Sequence, residues 1–207
     1  MTIWAIVPVK PLVMGKSRLG SVLSGEERAR LNRMLLERTL EVIRNTPGIA
    51  STLVISRDPE VLAIAREFEA RTVLEHGQTQ NDLNLALARA MAIAKAFEVN
   101  GIIVIPADLP LLAPEDIDEI LAEASKAPVV AIAPDRHNDG TNALLMCPTG
   151  LIKFDYGPDS FTRHSKHAIE SGAHLKIIRR VNLGLDLDYP DDLDYYEQIQ
   201  AARQEPQ

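Results

Sequence analysis

The chain has 207 residues, 46% apolar and 25% charged, an ordinary globular composition with enough length for one core or a core with an appendage. Its longest apolar runs, such as Gly101–Ile105 with Pro106, fall far short of the roughly 20 residues of a membrane span, and its single Cys147 excludes a disulfide framework or thiolate zinc cluster and fits a reducing, cytoplasmic setting. The net charge of −7 is uneven, with eight basic and four acidic residues in positions 1–50 and −11 on the rest, which argues against nucleic acid and suits a small anionic ligand held by a few cations beside a carboxylate-held metal.

In chain order, Ile3–Val9 reads as a buried strand, entered from Met1-Thr2 without the basic stretch or cleavage site of a secretory signal. Ser24-Gly25-Glu26-Glu27 is a capping box opening a helix through Arg44, with Leu31, Leu35, Leu40 and Ile43 as its apolar stripe. Thr52–Ser56 is a second strand, Asp58-Pro59 starts a short helix, Arg71–Leu74 is a third strand, and Asp82–Val99 is an Ala- and Leu-rich helix. Gly101–Ile105 is the clearest buried strand; Pro114–Lys126 reads as a helix, and Val129–Ala133 and Asn142–Met146 as strands. Ser160–Ser171 is helical, Leu175–Arg179 and Leu183–Leu187 are extended, and Pro190–Ala202 closes as a helix. No repeat or linker divides the chain. The alternation implies an α/β protein whose mostly parallel sheet is covered on both faces. Such sheets bind ligands beyond the carboxyl ends of their strands, which directs attention to the residues just after Val7, Ile105, Ala133 and Leu185.

Each of those points carries a polar cluster. The first holds Pro8-Val9-Lys10-Pro11 and Lys16-Ser17-Arg18. It is neither a G-x-G-x-x-G turn nor a G-x-x-x-x-G-K-[ST] loop. Its Lys and Arg can bind phosphates, one as a point charge and the other as a fork; a solvated basic loop is the bland alternative. Asp108 lies directly beyond a buried strand between Pro106 and Pro110. That placement suits a hard cation such as magnesium better than a turn-capping role. Asp186 and Asp188 stand two apart in extended chain, so both turn to one face, and like charges side by side call for a cation between them. The later acids Asp191, Asp192, Asp194 and Glu197 read as solvated, with Asp191 or Asp192 favoured near a helix N-terminus.

Gly140 and Gly157 let backbone amides approach an anion, Thr141 and Ser160 offer hydroxyls, and Arg163 offers a positive charge. Two turns and an N-cap at Ser160 would account for the same residues. His164 and His167 are three apart on a helix but lack a third nitrogen or sulfur ligand nearby, and no G-x-S-x-G elbow marks a serine hydrolase. Cys147 reads as a small core residue at a strand end.

In register, Val7-Pro8-Val9-Lys10-Pro11, Lys16-Ser17-Arg18-Leu19, Pro106-Ala107-Asp108-Leu109-Pro110-Leu111, Ala133-Pro134-Asp135-Arg136, Gly140-Thr141-Asn142-Ala143-Leu144, Phe161-Thr162-Arg163-His164 and Leu185-Asp186-Leu187-Asp188 resemble the guanylyltransferases that activate phosphoenolpyruvate or 2-phospho-L-lactate in coenzyme F(420) biosynthesis. The resemblance runs over residues 3–195. It implies a three-layer α/β/α nucleotidyltransferase (Rossmann-like) fold with a mostly parallel mixed sheet, residues 1–207 forming a single domain. The reaction it implies moves GMP from GTP to phosphoenolpyruvate, with 2-phospho-L-lactate as the alternative acceptor, and releases diphosphate.

By the same resemblance Lys10, Lys16 and Arg18 hold the triphosphate, with Pro8, Ser17, Asn84 and Asp108 also on the nucleotide side. Lys16, Arg18 and Asp108 are catalytic, and Asp108, Asp186 and Asp188 hold Mg2+. Thr141, Gly157 and Ser160, with Arg163, hold the acceptor acid. Asp82 stands where the pattern has glycine, which bears on how closely the backbone nears the nucleotide. No membrane or nucleic-acid partner is implied, and a homodimer is left open. The chemistry agrees: an acceptor phosphate with a second pKa near ~6 is largely dianionic at neutral pH. It needs no histidine base, only charge relief and alignment. Two rivals remain. A sugar-phosphate or molybdopterin nucleotidyltransferase would carry an L-A-G-G-type loop in place of Pro8-Val9-Lys10-Pro11; a non-catalytic nucleotide module would not need Asp108, Asp186 and Asp188.

Overall fold

The computed structural model describes residues 1–75 and 83–204, so the expected glycine position at Asp82 lies outside the described residues. Its elements in order are β1 (Ile3–Val9), α1 (Gly25–Arg44), β2 (Ser51–Ser56), α2 (Pro59–Glu67), β3 (Arg71–Leu74), α3 (Leu83–Ala96), β4 (Gly101–Val104), α4 (Pro114–Ala122), β5 (Val129–Pro134), β6 (Thr141–Cys147), α5 (Ser160–Glu170), β7 (His174–Ile177), α6 (Val181–Gly184) and α7 (Pro190–Gln204). Ser17–Ser21 and Glu123–Lys126 are 3-10 turns.

The strands form one sheet in the order β3-β2-β1-β4-β6-β5-β7. All neighbours run parallel except at β6, which is antiparallel to both β4 and β5. The expected mostly parallel sheet with helices on both faces is therefore what forms, with one reversed strand inserted.

Alternation along β1 builds both layers. Ile3, Ala5 and Val7 pack with Leu36, Leu40 and Ile43 of α1, Val61 and Ile64 of α2, and Ile117 and Ile120 of α4. Trp4 and Ile6 face the other way, against Ala86, Leu87, Ala90 and Ala94 of α3 and Ala168 of α5. Burying one large aliphatic side chain is worth about 2 kcal/mol, so this central strand ties the two helical layers together. Gly101 opens β4 because a Cβ there would collide with the Cys147 sulfur on β6; Cys147 itself is buried in the core, as expected.

The helix starts follow their local signals. Ser24 Oγ accepts from the Glu27 N–H at 3.2 Å while the Glu27 carboxylate accepts from the Ser24 N–H at 2.8 Å, the reciprocal box that opens α1. Asp58 caps α2 through the Glu60 N–H at 2.9 Å, with Pro59 at the first helical position.

One expected strand is corrected. Leu183–Leu187 is not a strand: Val181–Gly184 is a single helical turn, and the segment that follows, though extended at Leu185, pairs with no strand. The apolar Leu183, Leu185 and Leu187 are buried without it, so their alternation reports burial and not sheet pairing. Among the described residues, no helix is long and apolar enough to cross a membrane.

Candidate active site

Both candidate charge clusters arise at the carboxyl ends of the two central parallel strands. The loop after β1 places Lys16 at φ 56°, a left-handed conformation uncommon outside glycine. From that backbone its side chain, 6% exposed, reaches Asp108 Oδ2 at 3.2 Å and Asp188 Oδ1 at 3.1 Å. Burial alone would lower the Lys16 pKa, but Asp108 and Asp188 outweigh it and hold the ammonium above its ordinary value. Arg18 Nη1 takes the other oxygen of Asp188 at 3.3 Å, and the guanidinium carbon lies 4.8 Å from the centre of the Tyr189 ring.

Asp186 joins the same group. One carboxylate oxygen from each of Asp108, Asp186 and Asp188 lies within 4.8 Å of the others. The two later acids do not converge through strand periodicity. Instead the chain turns tightly, the Asp188 N–H bonding to the Asp186 carbonyl at 3.2 Å, while the Leu187 N–H donates to the Asp108 carbonyl at 3.2 Å. That last bond fixes the Asp186 loop directly to the Asp108 loop.

Burial, and then the charge of Asp108, drive the Asp186 carboxyl well above the ordinary range; Asp188 adds to this, and the Asn142 amide and Lys16 oppose it. Asp108 Oδ1 is buried and has no hydrogen-bond partner among the described residues. Three converging carboxylates with one orphaned oxygen form a donor set that fits a hard divalent cation.

Pro8, Lys10, Lys16, Asp108 and Asp188 line one cleft, closed on its other side by Leu83 and Ala86 of α3. Lys10 is exposed, with no ion pair among the described residues. Ser17 is exposed at the start of the 3-10 turn and does not line the cleft. Asn84 bonds the backbone of Tyr156, donating to its carbonyl at 3.1 Å and accepting from its N–H at 2.7 Å. The first turn of α3 thus joins the cleft to the loop before α5.

The remaining candidates form a second cluster around that loop. Ser160 is the first residue of α5, with Asp159 at the N-cap; its hydroxyl lies 3.4 Å from Thr141 Oγ1. Gly157 sits at φ +130°, a conformation side chains rarely adopt, and Arg163 binds the Asp155 carbonyl through Nη2 at 2.9 Å and its carboxylate through Nε at 3.1 Å. The Gly140 amide is already committed: it donates to Asp135 Oδ2 at 2.8 Å, so the anion it meets is the protein's own.

Several contributors escape a reading of the sequence. Ala133 faces Ala143 and Pro134 faces Thr141, which leaves Asn142 as a bulge residue re-aimed out of register; it donates to the Leu183 carbonyl at 2.9 Å and to Asp186 Oδ1 at 3.2 Å. Asp192 is not a solvated tail acid. It is buried, accepts from the N–H groups of Asp188 and Tyr189 at 2.9 and 2.7 Å, and pairs with Arg136 at 2.7 Å. Asp116, fully buried, receives the Ala113 N–H, the Asn182 amide and the Arg180 guanidinium, bracing α6 ahead of the acidic turn. The Arg57–Glu75 pair, 3.2 Å apart, also lines the cleft. The bonds of Asn142 to Leu183, of Arg136 to Asp192 and of Asn182 to Asp116 join residues 41 to 66 positions apart, which no local pattern marks.

The family described as "Guanylyl transferase CofC like" matches residues 3–197. A "Phosphoenolpyruvate guanylyltransferase" of Rubrobacter xylanophilus is 37% identical over 206 residues, covering 100% of this chain and 98% of that protein. A "2-phospho-L-lactate guanylyltransferase" of Methanocaldococcus jannaschii is 34% identical, covering 91% of this chain and 79% of that protein. Among solved structures, a nucleotidyl transferase from Methanothermobacter superposes with a TM-score of 0.70 at 15% identity, covering 98% of this chain and 99% of its own; at that identity the likeness concerns the fold. With this fold, this site and a match over nearly its whole length, the chain belongs to the CofC-like guanylyl transferase family of nucleotidyltransferases.

Proposed function

We propose that the protein transfers GMP from GTP to phosphoenolpyruvate, releasing diphosphate and forming enolpyruvoyl-2-diphospho-5'-guanosine for coenzyme F(420) biosynthesis. It works as one domain, in the cytoplasm, on small-molecule substrates, with magnesium as its metal. The observation that carries this reading is the meeting of Lys10 and Lys16 with Asp108 and Asp188 in one cleft at the sheet's carboxyl edge, with a carboxylate oxygen of Asp186 within 4.8 Å of theirs. The same reaction on 2-phospho-L-lactate is the second reading, favoured by the relative that bears that name.

In this mechanism a phosphate oxygen of the acceptor attacks the α-phosphorus of GTP in line with the bond to the β-phosphate; that bond breaks and diphosphate leaves with its electron pair. No side chain needs to act as base, since the attacking phosphate is already an anion. Lys10, Lys16 and Arg18 take the charge of the triphosphate, by fixed charges that require little reorganisation. Asp108, Asp186 and Asp188 would hold magnesium, which supplies Lewis-acid charge at the phosphate oxygens. Thr141, Gly157, Ser160 and Arg163 seat the acid.

The test is diphosphate release with each nucleoside triphosphate against phosphoenolpyruvate, 2-phospho-L-lactate and a sugar phosphate, with and without magnesium. Turnover of GTP with one of the two three-carbon acids, and only with magnesium, is the expected result. Turnover with the sugar phosphate alone, or with no pair, overturns it. A second expectation concerns Ser160, whose buried hydroxyl lies against Thr141. Ser160→Ala is expected to raise KM for the acid roughly tenfold to a hundredfold, the worth of one hydrogen bond to an anion, and to leave KM for GTP within a factor of about two. Equal changes in both constants would remove Ser160 from the acceptor side.

A further inference from the structure

His164 belongs to no cluster that the proposed reaction uses, yet it is fully buried at the centre of the elements assigned to the acceptor acid. Its two ring nitrogens have different partners. The Asp155 backbone N–H points at Nε2 at 2.9 Å. A backbone N–H can only donate, so Nε2 carries the lone pair and the proton of the neutral ring sits on Nδ1. Nδ1 lies 2.9 Å from Thr141 Oγ1, and that oxygen therefore accepts.

This has a consequence for the two hydroxyls beside it. Thr141 and Ser160 stand 3.4 Å apart and share one hydrogen bond between them. With the imidazole donating, it cannot take up a hydroxyl proton. The Thr141–Ser160 pair is left with one O–H that neither the ring nor the pair itself can satisfy. With the opposite tautomer Thr141 would donate to Nδ1 and the pair would have no donor to offer. Burial lowers the His164 pKa to about 4; the Asp155 charge opposes this, and His167 and Arg163 reinforce it. The ring is therefore neutral, and its tautomer fixed, throughout the neutral range.

We propose that His164 is the positioning residue of the acceptor site: its Nδ1–H fixes the Thr141–Ser160 hydroxyl pair as an outward donor to the anionic acid, while Nε2 anchors the loop at Asp155 that carries Gly157. The inference rests on the assignment of Thr141 and Ser160 to the acceptor. It predicts the Nδ1–H tautomer in the ligand-free protein, read from the imidazole nitrogen shifts of 15N-labelled protein; an Nε2–H tautomer overturns it without any variant having to fold.

The kinetic arm compares His164→Leu, which loses both bonds, with His164→Asn, whose amide can still donate toward Thr141. His164→Leu is expected to raise KM for phosphoenolpyruvate about tenfold, the loss of one well-directed hydrogen bond to a charged group, with KM for GTP within about twofold. His164→Asn is expected to recover most of the loss. Thr141→Val serves as the reference. If it leaves KM for the acid unchanged, the acceptor assignment itself fails; if it raises that KM while His164→Leu does not, the assignment stands and the role of His164 is wrong. The double variant is expected to be no worse toward the acid than Thr141→Val, since both changes remove the same donor; additive losses overturn the coupling.

Discussion

Asp108→Asn is expected to lower kcat by roughly a thousandfold, the several kcal/mol of charge stabilisation that a carboxylate-held cation contributes at a phosphoryl centre. Asp108 receives Lys16 on Oδ2, carries a buried and unpartnered Oδ1, and offers one of the three converging carboxylate oxygens. The substitution keeps shape and removes only charge. Its cost to the fold is small, because Lys16 retains Asp188 and because Asp186 loses a repelling neighbour. The measurement is steady-state diphosphate release beside a thermal melt, with Tm expected within a few degrees of the parent protein. Near-full turnover in a folded Asp108→Asn protein would remove Asp108 from the metal site and with it the central element of the proposed mechanism.

Lys16→Met is expected to move two quantities in opposite directions. Its ammonium lies between Asp108 and Asp188, where a cation would relieve the same repulsion. Without it the one cation still paired with the acid trio, among the described residues, is Arg18, which is largely exposed and reaches a single oxygen of Asp188. Divalent-ion affinity in the absence of nucleotide should therefore rise, by about tenfold for loss of one competing charge at a half-buried site, as read by manganese binding in electron paramagnetic resonance. Turnover should fall by roughly a hundredfold to a thousandfold, since a fixed cation facing the triphosphate is lost. The methionine keeps most of the aliphatic stem, so packing alone predicts neither change. Unchanged manganese affinity would show that Lys16 does not act as the counter-charge of the trio.

Much of this site was legible because each charge cluster sits at a point that local patterning already marks. Gly101–Val104 is an unbroken apolar strand, so an Asp four residues past its end had to emerge at the sheet's carboxyl edge. Ser24 with Glu27, and Asp58 with Pro59, announced their helices because a cap involves residues only two or three apart. Leu183–Leu187 misled for a related reason: alternating leucines are buried wherever the chain runs beside a core, whether or not a strand lies next to them. The convergence of Asp186 and Asp188 was inferred from strand geometry, whereas a tight turn bonded to the Asp108 carbonyl brings it about.

The sequence by itself determined the α/β class, the apolar layers of the sheet, the helix starts and the identity of the charged residues beside the strand ends. These depend on burial periodicity and on bonds between near neighbours, which short stretches of chain encode. Only the tertiary structure decided that β6 runs against its neighbours, that a bulge turns Asn142 onto Asp186, that Lys16 lies between two carboxylates, and that His164 faces Thr141 with one defined nitrogen. Those pairings join residues 23 to 172 positions apart. Their energies exist only once the chain has closed, because a hydrogen bond or ion pair is fixed by distance and direction in space, and spacing along the chain carries neither.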